Sequence, residues 1–190
     1  MSTTFLIGNT TEHPDIGAAL ASDDIMVVHD TSSGRVKSTP LSRVNAYIGS
    51  GALVAAGATL AVTQVLHAGK TIALDTLAGS IATLPAATGS GSLMRFVVSV
   101  LATSNSHIVK VANTADVIQG SAIMVSTTAS ASTFFATNAT TDTITLNRTT
   151  TGSVTKGEYL ELQDIAANTW AVSGMLTNSG TGSTPFSATV

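Results

Sequence analysis

Glu158-Tyr-Leu-Glu-Leu-Gln-Asp-Ile-Ala-Ala-Asn-Thr-Trp-Ala-Val-Ser-Gly-Met175 contains two segments in which apolar and polar side chains alternate. A period of two places Leu160 and Leu162 on one face of a strand. Ala167-Asn168 lies between the segments and has the residue types of a chain reversal. The stretch predicts two β-strands, Glu158–Gln163 and Thr169–Met175, in a protein built mainly of strands.

The same pattern recurs upstream, where short apolar segments are separated by turn residues such as Ala78-Gly79 and Ser104-Asn105. Many short strands with turns between them are typical of an antiparallel, jelly-roll-like β-sandwich or barrel. The further strands predicted are Thr59–Leu66, Thr71–Asp75, Ser80–Leu84, Leu93–Leu101, His107–Ala112, Ile118–Val125, Thr133–Ala136 and Thr143–Asn147. The core residues predicted besides the two leucines are Leu60, Val62, Leu66, Met94, Phe96, Val98, Val100, Val109, Val111, Ile144 and Leu146.

The beginning of the chain has a different pattern. Residues 1–24 mix small and polar types and predict an extended arm. Ile25–His29 is a compact apolar segment, and the turn cluster at residues 30–34 separates it from the alternating segment Arg35–Ser38. This arrangement predicts a β-hairpin.

A short helix is predicted directly after the hairpin. Thr39 suits an N-cap and Pro40 suits the first helical position. The residues expected on one face of this helix, three and four positions apart, are Leu41, Val44 and Ile48.

Glycine and alanine dominate residues 49–58, and they show no clear period, which is typical of a linker. We therefore predict an N-terminal arm with a small hairpin-helix docking unit at 1–50, a linker at 51–58, and a β-sandwich for trimerisation at 59–190.

The composition points to self-association. Only 10% of the residues are charged and 44% are hydrophobic, with a formal net charge of −3 and a mean hydropathy of +0.37. A free monomer normally keeps a charge-rich surface, so a surface this neutral is expected to meet other protein. The charges form no basic stripe for nucleic acid, and the absence of cysteine excludes disulfides and thiolate metal sites.

Neither a secretory signal nor a membrane span is expected. Met1–Gly8 has no positive segment and only three consecutive apolar residues, so we interpret it as part of the arm. The longest weakly polar stretch, Gly51–Val62, is far shorter than the roughly 20 apolar residues of a transmembrane helix.

Candidate chemical groups favour structural roles. The four histidines, His13, His29, His67 and His107, have no metal-ligand spacing. Asp23-Asp24 and Asp30 lack the pattern of a calcium loop. Glu158 and Glu161 are three residues apart, which places them on opposite faces of a strand and makes them a poor glycosidase pair.

No serine lies in a G-x-S-x-G motif. Trp170 is the only tryptophan, and we expect it in the core or at a subunit contact rather than on a sugar. We therefore predict no enzyme activity, no catalytic residue, no cofactor and no metal.

Several segments resemble virion proteins of tailed bacteriophages. Asp23–Val44 resembles a strand-turn-strand-helix segment common in such proteins. The rest resembles phage head-decoration (cement) and head-fibre proteins, and the likeness covers most of residues 23–190. The segments that carry this second likeness are Leu66–Leu74, Ala82–Gly91, Arg95–Val98, Ile108–Asn113, Gly157–Asp164, Trp170–Gly174 and Thr184–Thr189.

This resemblance implies a trimer that binds the outside of an icosahedral phage head and clamps neighbouring copies of the major capsid protein. It also implies that the protein is made in the host cytoplasm. It carries no catalytic residues. The predicted capsid contacts are the apolar arm residues Phe5, Leu6 and Ile7 and the basic residues Arg35, Lys37 and Arg43. Two alternatives remain open: a tail-fibre or baseplate appendage that binds host glycan, and a polysaccharide depolymerase.

Overall fold

A computed structural model describes residues 25–40 and 53–190. The chain divides between Ile48 and Gly49 into two compact units, and each is described by itself. The predictions of an arm at residues 1–24 and of helical residues Leu41, Val44 and Ile48 lie outside the described residues.

The described part of the first unit is a β-hairpin. Strand β1 (Ile25–Asp30) pairs antiparallel with β2 (Arg35–Pro40), with Val27 opposite Ser38. Gly34 closes the turn with a φ of 62°, a backbone conformation that glycine adopts without strain. The predicted hairpin is therefore present. Thr39 and Pro40 were predicted to begin a helix, and this is wrong because both belong to β2.

The second unit consists mainly of short strands. Gly49–Ala58 was interpreted as linker, but Leu53–Ala55 within it forms a strand. The elements in chain order are β3 (Leu53–Ala55), β4 (Thr59–Ala61), α1 (Gln64–His67), β5 (Thr71–Leu74), β6 (Ile81–Thr83), β7 (Leu93–Val98), β8 (His107–Lys110), β9 (Val117–Ser126), β10 (Ser132–Ala136), β11 (Thr143–Leu146), β12 (Tyr159–Ala166), β13 (Thr169–Asn178) and β14 (Phe186–Ser187).

These strands form two mixed sheets. One has seven strands in the order β10-β9-β13-β12-β7-β5-β3, and the other has five in the order β14-β11-β8-β6-β4. Five of the strand pairings are parallel, including β9 with β13, β5 with β7 and β6 with β8. The predicted antiparallel, jelly-roll-like arrangement is therefore corrected to two mixed sheets.

The parallel pairings arise from the path of the chain. From β3 to β8 each successive strand belongs to the other sheet, so the chain winds around the core instead of turning back within one sheet. Strands β3, β5 and β7 consequently run in the same direction, and β4, β6 and β8 do likewise. The alternating pattern of a half-exposed strand is the same in both arrangements, so the sequence could not distinguish them.

The inner faces of both sheets contribute to one hydrophobic cluster. In the seven-stranded sheet Ile72, Phe96 and Leu160 lie side by side in register. In the five-stranded sheet Ala82, Val109 and Ile144 do the same. The predicted core residues that are fully buried are Val62, Met94, Phe96, Val98, Val109, Val111, Ile144, Leu146, Leu160 and Leu162.

Three residues predicted in the core are not fully buried in the structure. Leu60 and Val100 are only partly buried. Leu66 is 53% exposed, because residues 64–67 form α1 instead of extending the strand predicted at Thr59–Leu66. Thr63 caps this turn, since its hydroxyl accepts a hydrogen bond from the Leu66 amide.

Substitution of Gly120 tests the close approach and register of β9 and β13. It lies opposite Val172 with a φ of 141°, and a Cβ added there would overlap the Val172 carbonyl oxygen. We expect Gly120→Ala to lower the free energy of unfolding by about 2–4 kcal/mol, because backbone atoms of a buried strand would have to move.

Urea denaturation followed by circular dichroism measures this change. The control is Gly91→Ala, where φ is 74° but a Cβ would meet nothing within 4 Å. It should cost only about 1–2 kcal/mol of backbone strain. Equal losses in the two variants would contradict the close approach of β9 and β13.

Candidate functional site

Asp164 on β12 has a fully buried carboxylate with a complete set of partners. It accepts hydrogen bonds from the amides of Thr88, Gly89 and Ser90 at 2.6–3.1 Å. The hydroxyls of Thr88 and Ser90 and the side-chain amide of Gln64 add further donors. Burial raises the pKa of Asp164, but these hydrogen bonds outweigh it and lower the pKa to about 2.

Glu158 has the same kind of role in the loop before β12. Its buried carboxylate accepts hydrogen bonds from the amides of Ser153, Val154 and Thr155 at 2.6–2.8 Å, and from the Thr177 hydroxyl. Glu161 points elsewhere and forms an ion pair with Arg95, with 3.5 Å between nitrogen and oxygen. The spacing of Glu158 and Glu161 predicted that their carboxylates would not converge on a common site, and in the structure they lie apart.

Asp142 holds residues near the end of the given sequence. Its oxygens accept hydrogen bonds from the Thr189 and Val190 amides at 2.8 and 3.2 Å, and from the Thr143 hydroxyl at 2.7 Å. Burial raises the pKa of Asp142, and these hydrogen bonds more than reverse the effect, so its pKa is lowered. Asp142, Glu158 and Asp164 thus each organise a loop or a chain segment.

Two of the three described histidines form structural hydrogen bonds. His107 is fully buried, where its Nδ1 accepts from the Ser80 amide at 2.9 Å and its Nε2 donates to the Val100 carbonyl at 2.8 Å. Burial lowers the pKa of His107. His67 accepts from the Thr63 amide, and His29 is exposed on β1. In the part of the chain that the structure describes, no three histidine or acidic side chains form a group that could hold a metal ion.

Of the predicted capsid contacts, two lie in the described residues. Arg35 and Lys37 are exposed and alternate along β2, which places them on the same face of the hairpin. The opposite face carries Ile25 and Val27, which are 68% and 52% exposed, and Val36. Phe5, Leu6, Ile7 and Arg43 lie outside the described residues.

A further surface, which the sequence patterns did not predict, lies on the outer face of the seven-stranded sheet. Five residues lie there side by side in register on five neighbouring strands, and we call them the outer row. They are Val97, Tyr159, Met175, Ile123 and Phe134. Their signal in the sequence is the presence of apolar residues at both the odd and the even positions of β12 and β13.

Comparisons with protein-family models, with curated proteins and with solved structures give no match to this chain. Among the described residues there is no helix with the length and apolar character needed to cross a membrane.

The buried polar groups described above have partners within the protein, and their hydrogen bonds hold loops in place. Among the described residues, exposed apolar side chains lie in groups on the hairpin, on the outer row and on α1, where Val65 and Leu66 are 81% and 53% exposed.

Proposed function

We propose that this chain is a virion structural protein, a capsid decoration (cement) protein that binds the outside of a phage head and stabilises the capsid lattice. It would act as a homotrimer whose partner is the major capsid protein. In this proposal the hairpin of residues 25–40 docks on the shell, and the two-sheet unit associates with its copies.

The observation that carries the proposal is the exposure of both faces of the hairpin. Ile25 and Val27 present apolar surface on one face, and Arg35 and Lys37 present positive charge on the other. A two-stranded hairpin is only marginally stable in water by itself. A surface that combines apolar area with charge is typical of a docking element, because the first supplies affinity and the second orients the partner.

The stabilising mechanism would be mass action. A protein that binds only the assembled lattice stabilises it by RT ln(1 + [L]/Kd), which is about 2.7 kcal/mol per site when the free concentration is 100 times Kd. A trimer multiplies this effect, since the second and third contacts form at high effective concentration. Moderate affinity at each contact is then sufficient.

The location on the particle is tested by electron microscopy with an antibody against the chain. The sample is the virions of the phage whose genome carries the gene. Label over the whole head surface is expected. Label confined to the tail would overturn the proposal and favour the tail-fibre or baseplate alternative.

The docking surface is tested by single charge reversals. We expect Arg35→Glu and Lys37→Glu each to weaken binding to undecorated heads of the same phage about fivefold, equivalent to ~1 kcal/mol, because each places a negative charge against an acidic shell. Cosedimentation at two salt concentrations measures the affinity. The loss should shrink at high salt, where surface charges are screened.

Lys110→Glu is the matched control for these reversals, because Lys110 is partly exposed on β8 of the five-stranded sheet, outside the outer row, and the change in charge is identical. Its affinity should equal that of the wild type. If all three variants bind equally well, the hairpin is not the docking element.

A further inference from the structure

The outer row forms a continuous apolar band across the seven-stranded sheet. Val97 lies opposite Tyr159, Tyr159 opposite Met175, Met175 opposite Ile123, and Ile123 opposite Phe134. Phe134 is 69% exposed and Met175 is 45% exposed. Residues in one register row are close neighbours, so these side chains form one patch.

The band extends beyond five strands. Ala73 on β5 lies opposite Val97, and Ala55 on β3 lies opposite Ala73. Ala55 is exposed, whereas Ala73 is only 3% exposed and adds almost no accessible area. Outward-facing Leu93 and Val125 add exposed apolar area on either side of the row. By contrast, the strands of the five-stranded sheet contribute one exposed large hydrophobic residue, Ile81, within the described chain.

The strands of this outer face carry no unbalanced charge, and two lysines border it: Lys70 lies beside Arg95 and Glu161, and Lys156 lies beside Tyr159 and Met175. The described strands of the seven-stranded sheet contain three charged residues, and Asp164 points into the core. The other two, Arg95 and Glu161, pair with each other across β7 and β12. The Arg95 guanidinium also lies 4.1 Å from the centre of the Tyr159 ring. Because the strands neutralise their own charges, the centre of this face favours neither an acidic nor a basic partner, and it can contact a copy of itself without like-charge repulsion.

Within the described residues, the sheet edge next to Phe134 lacks the charges and proline that discourage pairing. β10 is an edge strand, and residues 127–141 contain no charge and no proline. The Ala131 carbonyl accepts a hydrogen bond from the Ser126 amide, and the Thr137 amide donates one to the Gly120 carbonyl. The backbone N–H and C=O groups of the odd-numbered residues of β10 therefore point toward β9. The backbone groups of Ser132, Phe134 and Ala136 therefore point away from the sheet. Natural edge strands of monomers usually carry charges or proline that discourage pairing.

The size of the face fits a protomer contact. Each strand covers a width of about 4.8 Å, and five strands have three outward rows with a depth of about 20 Å. The short strands β5 and β3 have two outward rows, with a depth of about 13 Å. The flat area is therefore about 600 Å², and projecting side chains increase the accessible area toward the roughly 800 Å² that a standard interface buries on each partner.

We propose that a second copy of this chain covers the outer row, so that the outer faces of the seven-stranded sheets form the contact between protomers. Phe134 and Met175 are the anchors, since they are the most exposed large side chains of the row. The number of copies, three, rests on the proposed function. The location of the contact rests on the register, charge and exposure of this face.

The test uses the purified full chain in solution, without phage particles. Light scattering coupled to size exclusion, over a dilution series, gives the subunit number and the dissociation constant. We expect an oligomer for the wild type, and a dissociation constant raised about tenfold or more by Phe134→Glu and by Met175→Glu, because each buries an unpaired charge at the contact.

Leu77→Glu is the control, because Leu77 is 60% exposed but lies outside this sheet face. It should leave association unchanged, and circular dichroism should show all variants folded. A wild type that stays monomeric overturns the proposal, and so does an oligomer that neither variant weakens. Since no capsid is present, a failure here is separate from a failure to decorate heads.

Discussion

Replacing Asp164 by alanine lowers the free energy of unfolding by about 3–5 kcal/mol, because it leaves a group of buried donors without an acceptor. The amides of Thr88, Gly89 and Ser90 all donate to this carboxylate, and they lie in a loop far away in the sequence. Among the acidic side chains of the described residues, Asp164 alone accepts from these three amides. Urea denaturation measured by circular dichroism gives the loss.

Asp164→Asn keeps the size of the side chain but replaces one acceptor oxygen by a donor. It should lose less than the alanine variant and still more than about 1 kcal/mol, since at least one loop amide then faces an NH₂ group. This variant also keeps the prediction testable if the alanine variant does not fold. Glu161→Ala on the same strand is the control, because the exposed ion pair with Arg95 contributes less than about 1 kcal/mol.

The pH dependence of stability separates a charged carboxylate from a merely polar one. The folded-state pKa of Asp164 is lowered to about 2, so the unfolded chain binds this proton at higher pH than the folded protein does. The stabilisation is therefore complete above the unfolded pKa of about 3.9 and is lost as the pH falls toward 2. Asp164→Asn should flatten the stability curve in this window. An unchanged curve would contradict the ionised, hydrogen-bonded state.

The role of Asp164 could not be predicted from the sequence. It follows the strand predicted at Glu158–Gln163 and looks like any polar residue near a turn. Its partners are Gln64 and the loop at residues 88–90, which are brought to it only by the winding of the chain through both sheets. Local alternation predicts that a strand exists, whereas its neighbours depend on contacts far apart in the sequence.

Because sequence patterns are local, they predicted some parts of the surface and not others. Arg35 and Lys37 stand out locally, because positive charge is scarce in this chain. The outer row is invisible locally, since Phe134 and Met175 are 41 positions apart in the sequence and meet only through β9. Phe134-Phe135 did predict a strand, but alternation alone does not say which of the two rings faces the core.

Substitution of Trp170 is expected to give the second large loss of stability. Two variants at this position separate the contribution of packing from that of hydrogen bonding. The side chain is fully buried on β13 and belongs to the hydrophobic cluster, which confirms the core position expected from the sequence. We expect Trp170→Ala to lower the free energy of unfolding by about 3–5 kcal/mol, because it leaves a large cavity in a closely packed core.

Trp170→Phe should lose much less, about 1–2 kcal/mol, although it also removes the indole N–H. Within the described residues, Trp170 Nε1 has no hydrogen-bond acceptor. A buried donor without a partner destabilises the folded state, so removing it offsets part of the lost packing. Circular dichroism during urea denaturation is the measurement, because both variants lack the only tryptophan fluorophore.

The comparison of these two variants decides what Trp170 contributes. If packing dominates, the loss follows the volume removed, and phenylalanine retains most of the stability. If phenylalanine costs as much as alanine, the indole N–H makes a hydrogen bond that matters, for instance to a buried water. Leu77→Ala, at an exposed site, should change stability by less than about 0.5 kcal/mol and shows the size of an unspecific effect.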